Sequence, residues 1–184
     1  MIPTSDSRID PSAVQLIIDR IRQIPDYPQP GVVFKDITPA LADARAFNAV
    51  IEQLAAAARE PVDVVVGIEA RGFIVGSPVA RALGAGFVPV RKAGKLPHQT
   101  ISRSYDLEYG SETIEIHSDA VKAGDRVLVV DDVLATGGTA RATCDLLTGL
   151  RAEVITVAMM LEIAALSGRK KLDDYDLVSL IIDD

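Results

Sequence analysis

One cysteine, two histidines, no tryptophan, four tyrosines and four phenylalanines stand in a chain of 184 residues. The lone Cys144 can form neither an internal disulfide nor a thiolate metal cluster, which fits a reducing compartment. Lying two residues before Leu146-Leu147, it reads as packing. His98 and His117 have no partner at metal-ligand spacing and read as surface or loop residues. Long apolar runs are also missing: the longest, Val154 to Leu161, contains Thr156 and falls far short of the ~20 residues that span a bilayer. The opening Met1-Ile2-Pro3-Thr4-Ser5-Asp6 lacks the basic start and apolar stretch of a signal peptide, so a cytoplasmic protein is expected. Positive charge is in deficit. The net charge of -7 argues against duplex DNA or an anionic membrane as partner, since both would repel it. What is present, 48% apolar and 24% charged residues without repeats or low-complexity tracts, suits a globular protein with one domain over residues 1–184.

The patterning alternates between strand and helix. Asp10-Pro11 is a helix start, and Val14, Ile17, Ile18 and Ile21 follow at helical spacing, so a helix is expected up to Pro25. The donor-poor stretch from Pro25 to Gly31 is irregular by expectation. A second helix is expected from Asp43 to Arg59, with Phe47, Val50, Ile51 and Leu54 inward. Val62 to Ile68 is a β-branched run with little alternation, as in a strand covered on both faces. A helix to about Leu83 and a strand at Phe87 to Val90 come next. Arg91 to Asp106 is basic and lacks periodicity, and a loop that long in a compact domain is usually functional or disordered. Glu112 to His117, Val127 to Val130, Val154 to Leu161 and Leu177 to Ile182 read as strands, with a helix from Thr139 to Leu150. The terminal Asp183-Asp184 reads as a solvated end. These elements imply an α/β fold with a mostly parallel central sheet flanked by helices. A small N-terminal helix and flap would occupy residues 1–40, and a mobile basic loop residues 91–110.

The chemistry concentrates in Val127-Leu128-Val129-Val130-Asp131-Asp132-Val133-Leu134-Ala135-Thr136-Gly137-Gly138-Thr139. Ligands of open α/β sheets bind beyond the carboxyl ends of strands, where Asp131 and Asp132 fall. Neighbouring strand residues face opposite ways, so both carboxylates reach one ligand only if the chain leaves the strand there. Ala135 to Thr139 then offers successive backbone N–H groups and two hydroxyls directly before a helix, an arrangement that cradles phosphate. Each charge-assisted bond contributes roughly 1.5–3 kcal/mol. The nucleotide P-loop pattern is absent, and Gly84-Ala85-Gly86 does not continue into a dinucleotide fingerprint. A capped turn would explain Asp-Asp alone; acids beside a phosphate cradle suggest a sugar phosphate.

This stretch resembles the phosphoribosyl-pyrophosphate (PRPP) motif of the type I phosphoribosyltransferases. Pro30 to Pro39, Gly67 to Phe73, Val90 to Pro97 and Tyr105 to Gly110 resemble, in order, the adenine-specific branch of that family. The resemblance implies transfer of ribose 5-phosphate from PRPP to N9 of adenine, giving AMP and pyrophosphate with Mg²⁺, which is held mainly through PRPP, pyrophosphate and water rather than by direct protein ligands. It implies PRPP contacts at Asp131, Asp132, Ala135, Thr136, Gly137, Gly138, Thr139, Glu69 and Ala70, with the Glu69–Ala70 peptide often cis. Departing pyrophosphate demands a cationic clamp, for which Arg71, Arg91, Lys92 and Lys95 are the candidates. The family's counterpart of Arg91 reaches a neighbouring subunit, which implies a homodimer. Glu108 matches the glutamate that contacts the base at N7 or relays its proton, and Arg71 joins it as a catalytic candidate. By the same resemblance the Phe34 region covers one face of adenine and Ile163 touches the other. Lys35 stands where arginine is common, which leaves that arginine's planar contacts in doubt here.

Two other readings stay open at this stage. Purine-operon repressors use the same fold to sense PRPP and bind DNA, although their winged-helix domain has no room in this chain. Other family members act on xanthine, hypoxanthine or orotate. The Tyr105–Gly110 and Phe34–Asp36 segments favour adenine by resemblance alone.

Overall fold

A two-residue strand, β1 (Ile2–Pro3), precedes helix α1 (Pro11–Ile18) in the computed structural model, which describes residues 1–106 and 110–184. The Asp10 carboxylate accepts the Ser12 N–H and caps α1, a contribution of about 1 kcal/mol. The helix stops at Ile18, well short of Pro25. Arg22–Pro25 instead forms β2, antiparallel to β3 (Val33–Asp36), with Ile24 opposite Phe34. Proline drives the residue before it toward extended backbone, and β3 offers that extended segment a partner. Local helical spacing yields to pairing.

Asp43 ends a short unanticipated helix, α2 (Thr38–Ala42), and caps α3 (Ala44–Ala56) by accepting the Arg45 and Ala46 N–H groups. Val50 and Leu54 of α3 are fully buried, while Phe47 and Ile51 pack partly exposed against the same core. The chain continues through β4 (Val64–Ile68), α4 (Gly72–Leu83), β5 (Gly86–Lys92), β6 (Thr100–Asp106), β7 (Ser111–His117), β8 (Arg126–Leu134), α5 (Gly138–Gly149), β9 (Glu153–Ile163) and β10 (Leu177–Asp183). Short 3-10 turns at Ala164–Leu166 and Gly168–Leu172 lie between the last two strands.

Among the described residues, eight strands form one sheet in the order β1-β10-β9-β8-β4-β5-β7-β6. Its five central strands, β10 to β5, are parallel, and β1 and the β6–β7 pair are antiparallel additions at the edges. Helices α1, α3 and α4 cover one face and α5 the other. The mostly parallel α/β sheet is thus as the sequence implied.

Two further local expectations fail. The basic stretch after β5 is not structureless: Thr100 to Asp106 pair in full register with His117 to Ser111. β6 is an edge strand with little burial, so no hydrophobic alternation marks it in the sequence. Second, the chain does not leave the strand at Asp131. β8 runs to Leu134, pairing Asp131 with Met159 and Val133 with Leu161. Alternation breaks inside the strand instead: Val130 and Val133, three residues apart, pack into the same core cluster. Both carboxylates consequently meet the start of α4.

Candidate active site

Everything singled out in Val127–Thr139 lies at the carboxyl end of the parallel strands. After Leu134 the chain closes around a cavity of about 80 Å³ lined by Asp131 and by Val133 through Ala140. Gly137 holds φ at 76° as the N-cap of α5, a left-handed conformation open to glycine at little cost. The first turn of α5 leaves N–H groups without intrahelical acceptors, and the helix dipole places partial positive charge there. Tyr105 packs against the start of α5. Its ring lies where a Cβ on Gly138 would be 3.0 Å away, and its hydroxyl accepts a hydrogen bond from Thr139 Oγ1 at 2.9 Å.

Asp131 and Asp132 are enclosed by the N-terminus of α4. A Cβ on Gly72 would stand 2.8 Å from Asp131 Oδ1; Arg71 Nε lies 2.7 Å from Asp132 Oδ2. Burial raises the Asp131 pKa well above the aspartate range, and the Asp132 charge adds to it. Burial raises Asp132 too, with Arg71 opposing. Asp132 Oδ2 is buried and accepts no aligned hydrogen bond, despite the proximity of Arg71. Asp132 is thus paired with Arg71 at the start of α4, whereas Asp131 lines the cradle cavity, where a carboxylate suits a ligand hydroxyl or a hard cation.

The expected cations gather at the ends of β4 and β5, but each faces a carboxylate. Lys95 Nζ is hydrogen-bonded to Glu69, Arg91 Nε lies 3.4 Å from Glu69 Oε2, and the Lys92 backbone N–H donates to the same carboxylate. Burial opposes ionisation of Glu69, yet the bonds from Lys95 and Lys92 and the nearby charges hold its pKa below the usual value. Lys92 Nζ pairs with Glu112 at 2.5 Å, and Glu112 accepts the Tyr105 hydroxyl at 2.9 Å. The turn bearing Lys95 is organised by Glu115, only 6% exposed, which accepts the Lys95 and Leu96 N–H groups. The Glu69–Ala70 peptide is cis, as the resemblance implied. Glu108 lies outside the described residues.

Another cavity, about 120 Å³, is lined by Val32, Val33, Phe34, Lys35, Arg71, Val133, Leu161 and Ile163. Phe34 and Ile163, remote in sequence, meet here. Phe34 is braced by the edge of Tyr27, with ring centroids 5.3 Å apart. Lys35 is turned to Asp183, 3.1 Å away, and the terminal amine approaches the same carboxylate. Asp183 is therefore a partner of the β3 lysine rather than a solvated end. His117 is likewise half-buried on β7 against His98, not a surface residue. Cys144 is buried and its thiol is pushed up to about 12, as packing requires.

Residues 35–184 match the Phosphoribosyl transferase domain. The chain belongs to the phosphoribosyltransferase family. An adenine phosphoribosyltransferase of Thermobifida fusca is 56% identical over 173 residues, covering 91% of this chain and 96% of its own. That of Streptomyces coelicolor is 59% identical over 160 residues, with 86% and 88% covered. Among solved structures, the adenine phosphoribosyltransferase of Thermoanaerobacter pseudethanolicus superposes with a TM-score of 0.88 at 52% identity, covering 92% of this chain and 99% of that one. The Saccharomyces cerevisiae enzyme, complexed with an imino-altritol bisphosphate and adenine, superposes at 0.86 with 38% identity, covering 92% and 98%.

Within this family frame, residues that sequence reasoning missed become visible. Val133 and Leu161 line the apolar slot, Tyr105 and Glu112 join the hairpin to the cradle, and Gly168 backs it. Val133 sits inside the motif and was legible as a candidate. Gly168 carried no local signal, being one glycine in a polar turn.

Proposed function

We propose that the chain transfers ribose 5-phosphate from PRPP to N9 of adenine, forming AMP and pyrophosphate. One observation carries this reading: the phosphate cradle and the Phe34–Ile163 slot adjoin at Val133, which lines both, with Asp131 on the cradle side and Arg71, the partner of Asp132, on the slot side. A sugar phosphate anchored in the cradle would present its anomeric carbon toward the slot. The relatives named above, adenine phosphoribosyltransferases that span nearly the whole chain, support the choice of base.

The residues divide the work by chemistry. Backbone N–H groups of Ala135 to Thr139 hold the 5-phosphate, and Asp131 and Asp132 accept the ribose hydroxyls. Adenine lies between Phe34 and Ile163, with the Lys35 segment at its rim. The N9–C1′ bond forms as the C1′–oxygen bond to pyrophosphate breaks, and that electron pair leaves with pyrophosphate. Arg71, Arg91, Lys92 and Lys95, with the Glu69–Ala70 peptide, receive the leaving group by exchanging their carboxylate partners, Asp132, Glu69 and Glu112, for phosphate oxygens. Glu108 takes the proton that adenine must lose. Mg²⁺ fits as cofactor, since Asp131 lines the cradle cavity with a hard oxygen and the ligand itself would provide most donors; held mainly through PRPP, pyrophosphate and water, it would neutralise charge on the leaving group. We also propose a homodimer, in which Arg91, here turned to its own chain's Glu69 and Lys95 carbonyl, extends toward the partner's cleft. A cytoplasmic location is proposed as well; among the described residues no helix is long and apolar enough to cross a membrane.

Incubation with PRPP, Mg²⁺ and each base separately, followed by pyrophosphate release, tests the reading. Release with adenine is expected. None with adenine overturns it, and release with xanthine or hypoxanthine instead would keep the fold and change the base.

A further inference from the structure

Two glycines thirty-one positions apart meet behind the phosphate cradle. A Cβ on Gly137 would collide with the Gly168 carbonyl oxygen, and one on Gly168 with that of Ala135. The rear wall is thus backbone against backbone, and the position of Gly168 limits where residues 135–137 can lie. Gly168 opens the turn Gly168–Leu172, preceded by Ser167 at φ 54°.

That turn is fastened at both ends. Arg169 lays its guanidinium along Glu162, with Nη2 at 2.5 Å from Oε2 and Nε at 3.1 Å from Oε1, and Nη1 donates to the Leu177 carbonyl. Glu162 is only 4% exposed and also accepts from Ser179 Oγ at 2.7 Å. Such a buried carboxylate needs its cation, because removing one partner leaves an uncompensated charge. At the far end Leu172 is buried, and Arg141 of α5 donates to the Lys171 carbonyl and pairs with Asp174.

We propose that Arg169 is a positioning residue for the 5-phosphate site. Locked to Glu162, it sets Gly168 against Gly137 and thereby aims the cradle's N–H groups, without touching substrate itself. The assignment rests on the transfer reaction proposed above. It separates from simple charge attraction, because Lys170 carries the same charge on the same turn and is exposed.

The test uses the full chain and the variants Arg169→Ala, Arg169→Lys and Lys170→Ala. Turnover is measured with PRPP and adenine varied separately, and AMP and adenine binding by calorimetry. Arg169→Ala is expected to raise the KM for PRPP and the Kd for AMP about tenfold, as small displacements of substrate-positioning groups do. Adenine binding in that variant, and every constant in Lys170→Ala, should stay within about twofold. Arg169→Lys should recover part of the loss, since it keeps one contact to Glu162 but not the fork. Equal weakening of AMP and adenine, a lowered Tm with unchanged constants, or a Lys170→Ala variant that matches Arg169→Ala would each overturn the proposal. If Arg169→Ala does not fold, Arg169→Lys must show the same selective loss at smaller size. Inactive wild-type protein would instead refute the transfer reaction.

Discussion

At residues 135–139 the cleft is lined by backbone N–H groups backed by the Gly168 turn, whereas around residues 69–112 it is lined by long side chains facing carboxylates. The first region is set by packing: glycine contacts limit where its backbone can lie. The second is set by charge. Its cations are held by Asp132, Glu69 and Glu112, and in the proposed reaction they would change partners to bind pyrophosphate. An anchoring site gains from rigidity because little order is lost on binding, while a leaving-group site must respond to charge that develops during reaction.

The sharpest separation of the two regions comes from Glu108→Gln, expected to lower kcat by about 10²–10⁴-fold through loss of general acid–base catalysis. PRPP binding should survive; unchanged turnover would remove Glu108 from the reaction. Next in size, Gly137→Ala forces a methyl into the Gly168 carbonyl at an overpacking cost of about 1–3 kcal/mol. Its loss should appear in AMP affinity, and a fall in kcat with AMP binding intact would break the division proposed.

A smaller effect tests the acids between the regions. Because burial raises the folded pKa of Asp131 and Asp132 above the unfolded value, the folded state binds more protons in that window, and stability falls as pH rises through it. Asp131→Asn should therefore raise Tm at neutral pH, by roughly 2–4 °C per kcal/mol recovered, while weakening AMP binding. A lower Tm would contradict the burial argument. Smallest of all, Tyr105→Phe removes the hydroxyl that joins Thr139 to Glu112, a contribution of about 0.5–1.5 kcal/mol. Faster amide exchange across β6 would register it, and unchanged exchange would show that the two regions are not coupled through Tyr105.

Much of the site was legible in the sequence because its chemistry is local. Asp131 to Thr139 form one continuous strand–loop–helix passage, and their roles follow from order and residue type. The apolar slot was legible only through resemblance, since Phe34 and Ile163 are brought together by the sheet rather than by any spacing. The β2–β3 hairpin and β6 were missed for a shared reason: each depends on a partner strand, and neither buries enough apolar surface to impose a pattern.

From the sequence alone came a phosphate cradle with paired acids at the end of a buried strand, because backbone donors, helix start and carboxylates are adjacent in the chain. Only the tertiary structure decided how both adjacent carboxylates reach one cleft. The chain does not leave β8; alternation breaks within it beside α4. Tertiary structure alone also decided which carboxylate each clamp cation faces and what stands behind the cradle, for those contacts join residues tens of positions apart, where only packing sets distance.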